Sequence, residues 1–212
     1  MKFKVGAILM KTLVVGLLAF TSVLTAGRTQ QMQDMPFDLH FIDMMIMHHQ
    51  EGVEMAELAQ TKAQSAKVKA FATKTATDQK KEIEELQAHR NHWYAGKPLM
   101  DHSMMESMMQ KMHPGMKMDM EDTRRKLRAA TGVAFDRLFL DTMIHHHMMA
   151  VDMSKEATNK AEHSEIKEFA KKAIAKQTAE ISEMKRLKGG STTASKIRTT
   201  KAKPKTTTSH KH

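Results

Sequence analysis

The sequence has no cysteine, and its 212 residues include only four prolines, nine glycines, one tryptophan and one tyrosine. Without cysteine there is no Cys-x-x-Cys-His motif for haem attachment and no residue for lipid modification of the amino terminus. The scarcity of turn-forming residues and of β-branched clusters favours helices over a β-sandwich or a β-barrel. The sequence also lacks a glycine-rich phosphate-binding loop.

The positive charge is concentrated at the two ends of the chain. The net charge of +10 includes three lysines in residues 1–27 and six basic residues in 189–212, and neither segment contains an acid, which leaves +1 for residues 28–188. A core with so little excess charge has no global basic field, so we predict no nucleic-acid partner. Residues 189–212 are Gly, Ser, Thr and Lys with almost nothing apolar, and we expect a disordered basic tail.

Residues 1–27 have the pattern of a secretory signal peptide. Lys2 and Lys4 precede a short apolar run from Leu13 to Phe20, and the small residues at 25–27 are typical of a cleavage site. A membrane anchor is the alternative, but the apolar run is short for a membrane span. We therefore expect a periplasmic or secreted protein with no stable membrane span after cleavage.

The middle of the chain is an internal duplication. Aligning Phe37 with Phe135 sets an offset of 98 residues that continues without gaps. A unit of roughly 50 residues is too small for a robust core of its own. The matching pairs include Asp38/Asp136, Phe41/Phe139, Asp43/Asp141, Met45/Met143, His48/His146, His49/His147, Met55/Met153, Gln79/Gln177 and Glu82/Glu180.

Each copy has the apolar spacing of two helices. In the first copy, positions at alternating intervals of four and three residues form one stripe over 41–59, and a second stripe covers 68–86. The turns lie near Ser65 and Ser164, which are candidate N-caps. Two such hairpins predict an all-α four-helix bundle. The expected boundaries are hairpins at about 36–95 and 122–188, joined by a Met-rich linker at 96–121.

Methionine and histidine are concentrated on the first helix of each copy. Side chains three or four positions apart share a helix face, so Met45 is expected beside His48 and His49. Thioether sulfur suits Cu(I), and imidazole also suits Cu(II) and zinc, so a mixed face favours copper. Core packing by methionine, with buried hydrogen-bonded histidines, is the alternative. The candidate ligands on these helices are Met44, Met45, His48, His49, Met55, Met143, His146, His147, Met149 and Met153.

The linker between the copies is a second candidate copper-binding segment. Residues 100–120 contain nine methionines and two histidines, whereas leucine, isoleucine, valine and phenylalanine are absent. A core segment would mix its apolar residues, so packing explains this composition poorly. An adaptable Met-rich strip that binds a partner protein is the main alternative. The candidate ligands here are His102, Met104, Met105, Met108, Met109, Met112, His113, Met116, Met118 and Met120.

The residue chemistry also indicates compartment and activity. Thiols oxidise outside the cytosol, whereas thioethers form no disulfides and need no deprotonation to bind a metal. The Met/His-rich helices have no Glu-x-x-His motif, which disfavours di-iron chemistry. We predict bound copper, as Cu(I) and Cu(II), and no enzymatic activity; a copper-dependent oxidoreductase is the alternative. Asp43 and Asp141 either orient a ligand histidine or pair locally. The partners expected are copper ions, and a copper-donor or copper-acceptor protein is left open.

The duplicated motif resembles a known family. The strings Phe41-Ile-Asp-Met-Met-Ile-Met-His-His49 and Phe139-Leu-Asp-Thr-Met-Ile-His-His-His147 are similar to the domain-of-unknown-function 305 family, which includes CopM-like periplasmic copper-binding proteins. The resemblance covers about residues 36–188. It implies a ferritin-like four-helix bundle, export, and copper binding with a role in copper resistance. Thr142 stands where the first copy has Met44. The ligands that the resemblance implies are Met44, Met45, His48, His49, Met143, His146, His147 and Met153, joined by linker methionines.

Overall fold

The computed structural model describes residues 35–100, 103 and 120–200, with the backbone alone for residues 120 and 190–200. Within that part of the chain every regular element is a helix, and no strand occurs. The all-α prediction is therefore confirmed. The five helices are α1 (Phe37–Lys62), α2 (Ala66–Trp93), α3 (Met120–Ala129), α4 (Gly132–Lys160) and α5 (Ser164–Thr200).

The four long helices form two antiparallel hairpins. Asp43 near the start of α1 pairs with Arg90 near the end of α2, at 2.5 Å between Oδ1 and Nε. In the second hairpin His147 of α4 contacts Glu180 of α5 at 2.9 Å. The apolar stripes on all four helices face one another, because burial of these stripes is the main favourable term in helix association.

Each hairpin turn is held by an aspartate from the other hairpin. Asp136 at the start of α4 accepts hydrogen bonds from the backbone amides of residues 64 and 65, at 2.8 and 2.9 Å. The repeat-related Asp38 at the start of α1 accepts hydrogen bonds from the amides of residues 162 and 163, at 2.9 and 2.8 Å. Both carboxylates are buried. Charge-assisted hydrogen bonds of this kind fix the hairpins to each other as well as capping the turns.

These aspartates take the role that the sequence suggested for two serines. Ser65 occupies the N-cap position of α2, but its side chain makes no capping hydrogen bond. Ser164 is the first residue of α5, and its hydroxyl donates to Glu165 at 3.0 Å. Ser65 is therefore the N-cap residue, as predicted, but its hydroxyl does not cap the helix, and Ser164 lies inside α5. Carboxylates that are distant in sequence bind the turn amides instead.

The hydrophobic core includes residues from α1 to α5. Leu127 of α3 lies in it, and the ammonium group of Lys62 donates to the Leu127 carbonyl at 3.2 Å, which ties the end of α1 to the short helix. The short helix therefore extends the core ahead of the second hairpin. The large buried side chains of this cluster are Met55, Phe71, Leu127, Phe135, Phe139, Leu140, Met143 and Met184.

The chain ends differ from the prediction in one place. Helix α5 continues to Thr200, so the backbone of residues 189–200 is helical where we expected a disordered tail. The first proline after Gly189 is Pro204, so no proline interrupts the helix in residues 189–200. The predicted signal peptide, residues 201–212 and most of the Met-rich linker lie outside the described residues. Among the helices described, none combines the length and apolar character that crossing a bilayer requires.

Candidate metal centre

Four histidines from α1 and α4 are buried where the two hairpins meet. His48 and His49 come from α1, and His146 and His147 occupy the repeat-related positions on α4. All four are at most 2% exposed. Because α1 and α4 are related by the duplication, the four residues form two equivalent pairs. We call His48 and His146 the inner pair, and His49 and His147 the outer pair.

The outer pair is oriented by carboxylates. Nε2 of His147 hydrogen-bonds to Oε2 of Glu180 at 2.9 Å. Nε2 of His49 lies 2.9 Å from Oε2 of Glu82, with poorer alignment. A carboxylate on one ring nitrogen fixes the tautomer and leaves the other nitrogen as a lone-pair donor. In both residues that other nitrogen, Nδ1, is buried without a hydrogen-bond partner.

The carboxylates are themselves held by lysines from the opposite hairpin. Lys176 lies 2.9 Å from Glu82, and Lys74 lies 3.4 Å from Glu180. Burial raises the pKa of Glu82, but the contacts with His49 and Lys176 outweigh it and hold the pKa below its usual value. Glu82 is therefore ionised at neutral pH, and its carboxylate is suited to accept a hydrogen bond from a ring N–H.

The inner pair is stacked and neutral. The rings of His48 and His146 have centroids 3.6 Å apart and planes 22° apart. Nε2 of His48 donates to the backbone carbonyl of His146 at 3.0 Å. Burial, and then repulsion by the neighbouring imidazoles, holds the pKa of both rings well below the usual value. Neutral imidazole is the form that binds a metal.

Two glutamines complete the polar part of the cluster. Gln79 and Gln177 are both 2% exposed, and neither carboxamide has a hydrogen-bond partner on its nitrogen or oxygen. A Cβ atom on Gly52 would lie 2.3 Å from Oε1 of Gln79 and 2.9 Å from Cε1 of His146. The absence of a side chain at Gly52 therefore makes the space for this carboxamide and this ring.

Sequence reasoning did not assign a role to the glutamines or to the two carboxylates. The available signal was their recurrence at the 98-residue offset, as Gln79/Gln177 and Glu82/Glu180. Gln79 and Gln177 also fall on otherwise apolar stripes. A buried polar side chain normally has a partner, so repeated polar residues on an apolar face indicate a site.

The unpartnered atoms define what the cluster can bind. Nδ1 of His48, both ring nitrogens of His146 and Nδ1 of His147 are buried without partners. Each such group costs about 1–3 kcal/mol, and a bound cation would offset this cost. Among the described residues no three His, Asp or Glu side chains converge closely enough to hold a metal. Ligand binding therefore requires rotation of the rings or completion by thioethers.

Thioethers are close by along both helices. Met45 precedes His48 by three residues, and Met143 precedes His146 by three, so each shares a helix face with its histidine. Met55 and Met143 also contact the apolar cluster around the phenylalanines, so packing is at least part of their role. All ten candidate ligands predicted on the helices are at most 7% exposed.

The other predicted residues are not brought into this cluster by any described contact. The linker candidates from His102 to Met118 lie outside the described residues, and Met120 begins α3 with its side chain undescribed. Asp43 pairs with Arg90, and Asp141 pairs with Lys188. Of the two alternatives for these aspartates, the structure has the ion pairs and not contacts that orient ligand histidines.

The fold and the cluster define a class of protein: two duplicated helical hairpins that enclose neutral imidazoles, carboxamides and thioethers. The model of a domain of unknown function, DUF305, matches residues 38–188, and the chain belongs to this family. No curated protein matches the chain.

Solved structures with the same fold include metal-bound forms. A structure described as CopM in the Cu(I)-bound form is 31% identical, with a TM-score of 0.58, covering 72% of this chain and 96% of that chain. The Cu(II)-bound form of CopM is 32% identical, with a TM-score of 0.56 and the same coverage of both chains, 72% and 96%. A DUF305 fragment from Deinococcus radiodurans is 22% identical, with a TM-score of 0.61 and coverages of 73% and 97%, and it shows the fold alone.

Proposed function

We propose that this protein is a periplasmic copper-binding protein that sequesters or transfers Cu(I) and Cu(II) and contributes to copper resistance or homeostasis. Its two hairpins form a ferritin-like four-helix bundle, with the Met-rich linker 96–121 between them. It acts as a binding protein and not as an enzyme. The observation that carries this proposal is the set of buried, neutral imidazole nitrogens without hydrogen-bond partners, beside methionines on the same helix faces.

The donor set supports copper over other ions. Zinc sites in proteins use thiolate, imidazole and carboxylate, and they rarely use thioether. Imidazole together with thioether suits copper in both oxidation states. The similarity to CopM, whose Cu(I)-bound and Cu(II)-bound forms are solved, supports the same assignment.

The proposed compartment follows from the amino terminus and the residue usage. The leader at residues 1–27 has the pattern of an export signal, and the chain has 22 methionines and no cysteine. Copper binding by thioethers tolerates an oxidising compartment, because methionine forms no disulfide.

The proposal is tested by titrating the purified protein with Cu(I) in the presence of a coloured competing chelator. The wild type is expected to withdraw Cu(I) from the chelator. Replacement of His48 and His146 by leucine is expected to weaken binding by at least about tenfold, since these are proposed ligands. The matched control is His92→Ala, an exposed histidine at the end of α2. Failure of the wild type to compete with the chelator would refute copper binding.

A second measurement separates the alternatives. Substitution of Met45 and Met143 by leucine keeps volume and apolar character but removes the sulfur, and such swaps usually cost less than about 1.5 kcal/mol. Unchanged Cu(I) affinity in this variant would show that these two methionines only pack. Conversion of Cu(I) to Cu(II) faster than in buffer alone would instead favour the oxidoreductase.

A further inference from the structure

Arg90 fixes the chain that leaves the first hairpin against α1 and α2. The guanidinium of Arg90 binds the carboxylate of Asp43 through Nε at 2.5 Å and Nη2 at 3.3 Å. Nη2 also donates to the carbonyls of Lys97 and Pro98, at 3.3 and 2.9 Å. The amide of Met100 reaches Asp43 Oδ2 at 3.4 Å. These bonds fix residues 97–100, the start of the Met-rich segment, against α1 and α2.

This attachment buries Met100 beside α1. Met100 is 5% exposed, whereas the preceding Leu99 is 75% exposed. Met100 and the half-buried Met47 of α1 line one cleft of about 510 Å³, together with the carboxamides of Gln50 and Gln87. Neither methionine is among the ligands assigned to the histidine cluster. The cleft therefore places two thioethers and carboxamide oxygens at an opening to solvent.

The repeat-related position in the second hairpin is built differently. Lys188 stands in place of Arg90 and pairs with Asp141, and these side chains are 36% and 46% exposed. A lysine ammonium lacks the planar fork with which Arg90 holds a carboxylate and two carbonyls together. Met47 corresponds to His145 in the second copy. Among the residues that the structure describes, the two-thioether cleft therefore belongs to the first hairpin.

A line of soft ligands connects the cleft with the histidine cluster. Met44 precedes Met47 by three residues and His48 by four, so it shares a helix face with each of them. The second copy has Thr142 in place of Met44, which interrupts the equivalent line. We propose that the cleft is an entry site at which Met47 and Met100 bind a monovalent soft cation before it passes by way of Met44 to the buried imidazoles.

This inference rests on the proposed function, and the experiment separates the two. The full chain is labelled with ¹³C at the methionine methyl groups and titrated with Ag(I), a redox-inert substitute for Cu(I). Met47→Leu and Met100→Leu assign the two resonances. The matched control is Met148→Leu, since Met148 is an exposed methionine of α4 away from the cleft. Circular dichroism checks that each variant is folded.

The Met47 and Met100 resonances are expected to shift together at the first substoichiometric additions of Ag(I). Each of their leucine variants should load Cu(I) from a chelator severalfold more slowly than Met148→Leu, and all three should reach the same final occupancy of the histidine cluster. If the wild type binds Ag(I) but these resonances stay fixed and the loading rates equal the control, only the entry site is overturned. If the wild type binds neither ion, the proposed function fails as well.

Discussion

Substitution of Gly52 by alanine tests whether the space beside Gln79 and His146 is built into the fold. In a helix interior, Gly→Ala alone should stabilise by about 1 kcal/mol. At position 52 the new Cβ would lie 2.3 Å from Oε1 of Gln79, 3.0 Å from its Cδ and 2.9 Å from Cε1 of His146. Both neighbours are buried, so a shift of either side chain displaces other packed atoms.

The magnitude follows from two opposing terms. Overpacking of a filled core costs about 1–3 kcal/mol, and the intrinsic helix gain returns up to about 1 kcal/mol. We therefore expect Gly52→Ala to lose up to roughly 2 kcal/mol in the free energy of unfolding. The control is Gly189→Ala in α5, where a Cβ meets nothing within 4 Å. That variant should gain up to about 1 kcal/mol.

The assay is urea unfolding of the metal-free protein followed by far-ultraviolet circular dichroism. Adding Gln79→Ala to Gly52→Ala removes the nearest overlapping atom, so the pair should show a favourable coupling energy of at least about 0.5 kcal/mol in a double-mutant cycle. A Gly52→Ala protein as stable as the wild type, with no coupling, would show that the carboxamide and the ring relax freely. The description of a tightly enclosed cluster would then be wrong.

Three further predictions concern the same assembly. The pKa of His48 and of His146 is lowered in the folded state, so below their usual value of about 6.5 the unfolded chain binds more protons. Stability of the metal-free protein is thus complete above that pH and falls below it, by up to about 1.4 kcal/mol per pH unit for each ring. Urea midpoints from pH 7.5 to 5.5 that do not change would contradict this. Arg90→Lys should destabilise by about 2 kcal/mol, because one ammonium cannot satisfy a buried carboxylate and two carbonyls. Lys188→Ala, at the exposed equivalent, should cost under about 1 kcal/mol, and equal losses would refute the distinction. Asp136→Ala should cost about 2 kcal/mol in the same assay, because two turn amides lose a charged acceptor, and a neutral result would show that water replaces it.

The helices and their pairing could be predicted from the sequence for local reasons. The spacing of apolar residues over 41–59 and 68–86 follows the helical period, which depends only on neighbours along the chain. The duplication then required the second hairpin to fold as the first. The same local reasoning placed the turns near Ser65 and Ser164, and the structure has them at residues 63–65 and 161–163.

The site was only partly accessible to this reasoning. The sequence brought Met45, His48 and His49 to one helix face, and the structure buries all of them. Spacing along one helix says nothing about what a second hairpin places against it. Stacking of His48 on His146, which are 98 residues apart, depends on how the two hairpins meet. The repeat alignment marked Gln79 and Gln177, but their lack of partners is a property of the packed interior.

The sequence by itself determined the helical period, the duplication and the soft chemistry of the side chains, because each is carried by residues close together in the chain. The tertiary structure alone decided that Asp38 and Asp136 cap turns in the opposite hairpins, and that Arg90 anchors the chain that leaves the first hairpin. Those contacts depend on the relative positions of the helices, which the burial of many apolar side chains determines jointly. No single stretch of residues contains that information.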